Sequence, residues 1–216
     1  MRRRQPGATC TAALLLAALI ASSGPARADA TGGAAQDDQA YRRVVEGRAA
    51  RIVEDLGLTG AEQEQRVVDA IADQYEALSA AHDRRDERLA AAGADETAVR
   101  DAAHREVVEL HRRFVARLAA ELAAEQVDTV KDGMTYGVVP ITYAGYVRLL
   151  PDLTDDQKRM ILANLLEARE HAMDAGSSDE KHAWFGKYKG RINNRLSEAG
   201  YDLKQAERDL AEREGR

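Results

Sequence analysis

The sequence predicts an all-α protein: a helical bundle with two long antiparallel helices and a shorter helical C-terminal half that contains one irregular buried loop. Three observations carry this. Apolar residues recur at helical spacing through most of the chain. Capping patterns stand where those periodic segments begin. Alanine, arginine and glutamate are abundant in the first half, a composition suited to long helices packed closely together.

The elements follow in order. Arg2, Arg3 and Arg4 precede the apolar run Thr11–Ala21, which is too short for a stable membrane anchor, and Ala28-Asp29-Ala30 fits a small-x-small cleavage site. Residues 1–30 are therefore expected to be a signal peptide cut near Ala30, leaving an exported chain of the periplasm or cell exterior with no membrane span. Residues 31–40 read as a flexible start. Tyr41, Val45, Ala49, Ile52 and Leu56 mark the first helix, ended by Gly57. Thr59-Gly60-Ala61-Glu62 reads as a capping box for a long second helix striped by Val67, Ile71, Tyr75 and Leu78, with Gly93 beyond its end. A third helix, about Asp95 to Leu122, turns Val107, Val108, His111, Phe114, Val115 and Leu118 inward. A short helix then ends at Gly133. Met134–Tyr146, rich in β-branched and aromatic residues and broken by Gly137 and Pro140, is expected as an extended loop leading into a short helix. Thr154-Asp155-Asp156-Gln157 caps the next helix. Ser177 or Ser178 caps another that runs to Gly200, and residues 204–216 form a charged terminal helix. Residues 41–203 make one domain.

The charge balance limits the function classes. The chain has 31 basic and 37 acidic residues; loss of residues 1–30 removes four arginines and one aspartate, so the net charge moves from −6 to −9. Such a chain is a poor general binder of nucleic acid. Cys10, the only cysteine, lies within the leader, so the exported chain has neither a disulfide nor a thiol nucleophile. There is no G-x-S-x-G pattern and no glycine-rich phosphate loop. His104 and His111 lie seven apart on one helix face and are expected as a partly buried structural pair; no metal site and no cofactor are expected. Glu167 and His171 are spaced for a helix-face hydrogen bond. Catalytic residues are not identified.

One stretch stands out. Lys181–Asn194 holds Trp184, Phe185, Lys187, Lys189 and Arg191 with no acidic residue. On a helix, Phe185, Tyr188, Ile192 and Leu196 share a face that belongs to the core. Gly186 and Gly190 each cost about 1 kcal/mol in a helix interior. Close approach of the Met134–Tyr146 backbone, pinned by Asn193 and Asn194, is the expected reason. The functional reading is a ligand site: Lys187, Lys189 and Arg191 meet carboxylates, Trp184, Tyr136 and Tyr143 offer flat faces, and His182 and Asn194 adjoin them. Those features suit an acidic glycan. A uronate lyase using His182, Lys187 or Tyr188 as base is the alternative enzyme. A protein partner is the other expectation: "LTGAE", "LAAEQ" and "LTDDQ" resemble the repeat of Spy-type helical periplasmic chaperones and stress sensors, although capping also explains them.

At "VKDGMTYGVVPITYAGY", "LTDDQKRMI", "EAREHAMDAGSSDEKHAWFGKYKGRINNRLSEAGYD", "RIVEDLGLT" and "ADQY" the chain resembles the secreted bacterial family called domain of unknown function 3826, from about Tyr41 to Leu203. The resemblance implies a setting of polysaccharide degradation and assigns no reaction and no catalytic residues.

Overall fold

The computed structural model describes residues 30–91, 93 and 95–215, with side chains from 37 onward. The expected signal peptide lies outside the described residues, apart from Ala30. Among the described residues there are eight helices and no strand: α1 (Ala30–Glu54), α2 (Ala61–Ala90), α3 (Glu96–Ala119), α4 (Ala124–Met134), α5 (Val138–Leu149), α6 (Asp155–Met173), α7 (Ser178–Glu198) and α8 (Leu203–Glu214). Residues 31–40, expected as a flexible start, fall within α1. Asp38–Arg216 forms one compact unit.

Helix ends are set by local chemistry. Thr154 Oγ1 accepts from the Gln157 amide while the Gln157 side chain accepts from the Thr154 amide, so the predicted box at α6 is complete. Ser177 caps α7 by accepting from the Glu180 amide at 3.1 Å. Gln126 closes half a box at α4, and its side-chain amide also donates to Leu56 O. Thr59 does not cap α2. Gly60 is the extended residue preceding that helix, which leaves the Thr59 hydroxyl one position too early.

Two apolar clusters form the core. The first joins α1 to α4 through Ala49, Ile52, Ile71, Phe114, Leu118, Val130 and Met134, with Met173 reaching in from α6. The second joins α5, α6 and α7 through Tyr146, Ile161, Leu165, Phe185, Tyr188, Ile192 and Leu196, with Leu203 and Ala206 of α8 against its edge. Each fully buried Ile or Leu contributes roughly 1.5–3 kcal/mol. α2 and α3 are the predicted antiparallel pair. Arg84 meets Glu106, Asp73 meets Arg117 and Arg66 meets Glu121, positions that descend on one helix as they rise on the other. Such half-exposed pairs set register more than stability.

Glycine matters most where the expectation did not put it. A Cβ on Gly133 would lie 2.8 Å from Ile52, so this glycine lets α4 press onto α1. A Cβ on Gly186 or Gly190 meets nothing within 4 Å. The expected backbone approach at those two does not occur, because the aromatic face of α7, and not its glycine face, meets α5 and α6. The expected long loop is also shorter than read. Thr135–Gly137 make a tight turn, and α5 starts at Val138 with Pro140 in its first turn, where a missing N–H costs nothing. Asn193 does bind this region: its Oδ1 accepts from the Tyr146 hydroxyl at 2.6 Å.

Candidate functional site: two cavities beside the α6–α7 turn

The α6–α7 turn, Asp174–Ser177, separates two concavities, and Ala175 lines both. On one side a groove of about 810 Å³ runs between α3 and α7, lined by Ala103, His104, Val107, Val108 and Arg112 of α3 and by Glu180, Ala183, Trp184 and Lys187 of α7. On the other side a cavity of about 390 Å³ lies between α1, α2, the Thr135–Gly137 turn and the start of α7.

The groove owes its shape to polar links between helices. The His111 ring donates to Asp174 Oδ2 at 2.8 Å, with its other nitrogen 3.5 Å from Glu170. Lys131 Nζ lies 2.7 Å from Glu170. Arg169, 4% exposed, meets Asp128 and Asp132 at 2.5 and 2.9 Å. α3, α4 and α6 are thereby tied by alternating charges. The hydrogen bonds to Asp174 and Glu170 raise the His111 pKa to about 9. Burial opposes ionisation of Glu170, yet the bonds from His111 and Lys131 outweigh it and hold that carboxyl down at about 2. Among the described residues, no group of three or more His, Cys, Asp or Glu is arranged to hold a metal ion.

The expected pairing of His104 with His111 does not occur. His104 stays exposed on the groove rim, and the α3 stretch of Val107, Val108 and His111, expected to turn inward, lines the groove instead. Nor do Glu167 and His171 bond. Glu167 accepts from the Tyr188 hydroxyl at 2.7 Å, and His171 stacks on Trp184 at 4.4 Å between ring centroids. Partners on α7, the Trp184 ring for His171 and the Tyr188 hydroxyl for Glu167, take the place of an exposed intrahelical hydrogen bond.

The smaller cavity has a different character. Arg48, Arg51 and Lys181 line it, with Tyr41, Tyr75, Tyr136, Ser177 and Ser178; among the described residues no carboxylate does. Neither arginine forms an ion pair among the described residues; Arg51 Nε donates to Gly47 O at 3.1 Å. Lys181 is 6% exposed. Its Nζ donates to Met134 O at 3.0 Å, at the C-terminus of α4, and lies 5.4 Å from the Tyr75 ring centre. Burial lowers the Lys181 pKa to about 8; nearby Asp174 works against that and Arg48 adds to it. Ser177 and Ser178, at the start of α7, line this cavity; the first turn of that helix also carries Asp179 and Glu180, and Glu180 accepts from the Gly176 amide at 2.8 Å.

Tyr136 is the strained part. Its φ of 60° is left-handed, followed by Gly137 at 66°. That conformation costs a non-glycine residue about 1–2 kcal/mol. It places a half-exposed ring at the cavity wall, stacked on His182 at 5.6 Å. Strain of this kind concentrates at functional sites.

The predicted site residues are thus divided. Trp184 and Lys187 line the groove, with Lys187 Nζ 4.8 Å from the Trp184 ring centre. Tyr136 lines the cavity and His182 backs it. Arg191 lies over the Tyr188 ring at 4.4 Å and 3.6 Å from Glu167. Tyr143 packs against the second core cluster. Lys189 and Asn194 are exposed on α7 and line neither concavity. Sequence reasoning passed over Arg48, Arg51, Tyr41 and Ser177. For Lys181 a signal existed: it lies on the α7 stripe of Phe185, Tyr188 and Ile192, where a lysine is out of place.

Among the described residues no helix is long and apolar enough to cross a membrane. No curated protein matches the sequence. The model of the family described as "Protein of unknown function (DUF3826)" matches residues 42–215, most of the chain and all of its core helices from α2 onward, and the chain belongs to that family.

Proposed function

We propose that this is an exported accessory protein that binds an acidic glycan, and that the smaller cavity takes a sugar carboxylate. One observation carries the reading: three cationic side chains and the two serines at the start of α7 line a concave site with no carboxylate among its described lining residues. A simple anion needs only those cations. The tyrosine walls and the two serine hydroxyls add flat apolar faces and hydrogen-bonding groups, the pair of features a pyranose ring presents in return. Tyr136, held at φ 60°, is the wall whose placement requires an explanation beyond packing.

Calorimetric titration with acidic and neutral oligosaccharides tests this. Acidic sugars are expected to bind, more weakly as salt rises, and the double variant Arg48→Ala/Arg51→Ala to weaken binding by about tenfold or more while leaving the fold unchanged, since both side chains are exposed. Silence toward every acidic sugar, or binding indifferent to both arginines, refutes the proposal. A second reading, eliminative cleavage of the uronate, is favoured by a buried amine titrating near 8 beside the carboxylate-binding cations. Growth of ultraviolet-absorbing unsaturated products distinguishes it from binding alone.

A further inference from the structure

The cavity and the groove are adjacent. They meet at Ala175, on either side of a turn kept low by Gly176, where a Cβ would lie 2.9 Å from the His82 ring. His82 is itself fixed, with Nε2 2.8 Å from Asp174 O and Nδ1 2.9 Å from Arg85. The two concavities also differ in chemistry. The cavity is cationic. The groove has an apolar floor of Val107, Val108, Ala183 and Trp184 and is lined as well by Arg85, Arg100, Arg112 and Lys187. Of its acids, Glu170 meets Lys131 and His111, Asp174 meets His111 through Oδ2 while its Oδ1 has no partner among the described residues, and Glu180 is exposed. The groove offers ring faces along its floor and cations beside them.

We infer that the two form one extended site, in which a glycan chain places a uronate in the cavity, crosses the Asp174–Ser177 turn, and lays its next sugars along the groove against Trp184. This rests on the proposed binding of an acidic glycan and adds that the ligand is an oligomer, not a single sugar. Continuity across Ala175 argues for one occupant, because a chain leaving the cavity over this turn meets the groove directly. The apolar floor and the Trp184–His171 platform supply the stacking that successive sugars require. Lys187, exposed, holds its ammonium 4.8 Å from the Trp184 ring centre and sets a cation beside that platform.

Trp184 is the only tryptophan, so its fluorescence reports the groove alone. Oligouronates of one to four sugars are titrated by calorimetry and by Trp184 emission. The tetramer is expected to bind about tenfold tighter than the monomer and to be the better quencher, with the monomer leaving emission unchanged. Lys187→Glu and, separately, Val108→Asp, both exposed positions, are expected to erase the gain with length while monomer affinity stays as before. Equal affinity at every length, with binding still dependent on Arg48 and Arg51, overturns the extended site and leaves the cavity reading standing. Binding of no oligomer at all removes both.

Discussion

Lys181→Met separates a binding lysine from a structural one. The ammonium is 6% exposed, and burial lowers its pKa from 10.5 to about 8. At 1.36 kcal/mol per unit, keeping that charge in the fold at neutral pH costs about 3 kcal/mol. Against this stands its bond to Met134 O, where α4 ends; leaving that carbonyl without a partner costs roughly 1–3 kcal/mol. Methionine keeps the unbranched shape and the apolar contacts without the charge. The two effects nearly cancel, and the variant is expected to match or exceed the parent by about 1 kcal/mol in urea unfolding at pH 7. Acidic-glycan binding is expected to vanish. The balance also depends on pH in a definite direction. The folded pKa lies below the unfolded one, so the cost to the parent is complete below pH 8 and fades as pH rises to 10.5. The advantage of the variant therefore disappears across that window. A loss of more than about 2 kcal/mol at pH 7, with sugar binding kept, would show that Lys181 exists to cap α4 and would refute the reasoning.

His111 runs the other way. Its pKa is raised from 6.5 to about 9, so its contribution is whole below pH 6.5 and is lost as pH rises to 9. The parent is expected to lose up to about 3 kcal/mol over that range relative to His111→Gln, read from denaturant midpoints at pH 6 and 9.5; parallel curves for the two proteins would contradict the His111–Asp174–Glu170 link. Gly186→Ala and Gly190→Ala, each facing open space in a helix, are expected to raise stability by about 0.5–1 kcal/mol apiece in thermal unfolding. Gly133→Ala is expected to lower it by about 1–3 kcal/mol, and that loss is expected to shrink in an Ile52→Ala background but not in Ile52→Val, since the added methyl meets the two γ carbons of Ile52 at 2.8 and 2.9 Å and valine keeps both.

Much of the scaffold is legible in the residues because it depends on neighbours in sequence. The periodic stripe of α2, the Thr154–Gln157 box and the aromatic face of α7 are all local statements, written in spacings of three and four. The same locality explains the misreadings. Met134–Tyr146 has a composition that favours extended backbone, yet packing of Val139 and Tyr146 on α6 and α7 makes most of it α5. Gly186 and Gly190 catch the eye by spacing, but only the packing shows that Gly133 and Gly176 are the crowded glycines.

By itself the sequence determined an all-α chain, the order of its helices, and a basic-aromatic stretch on one of them. Tertiary structure decided where cations gather. Arg48 and Lys181 are 133 positions apart, and no spacing rule relates them; they line one cavity only because α1 and the start of α7 flank the same turn. A helix period reaches about one turn along the chain, whereas a binding site is made of whatever the folded chain brings within a few ångströms.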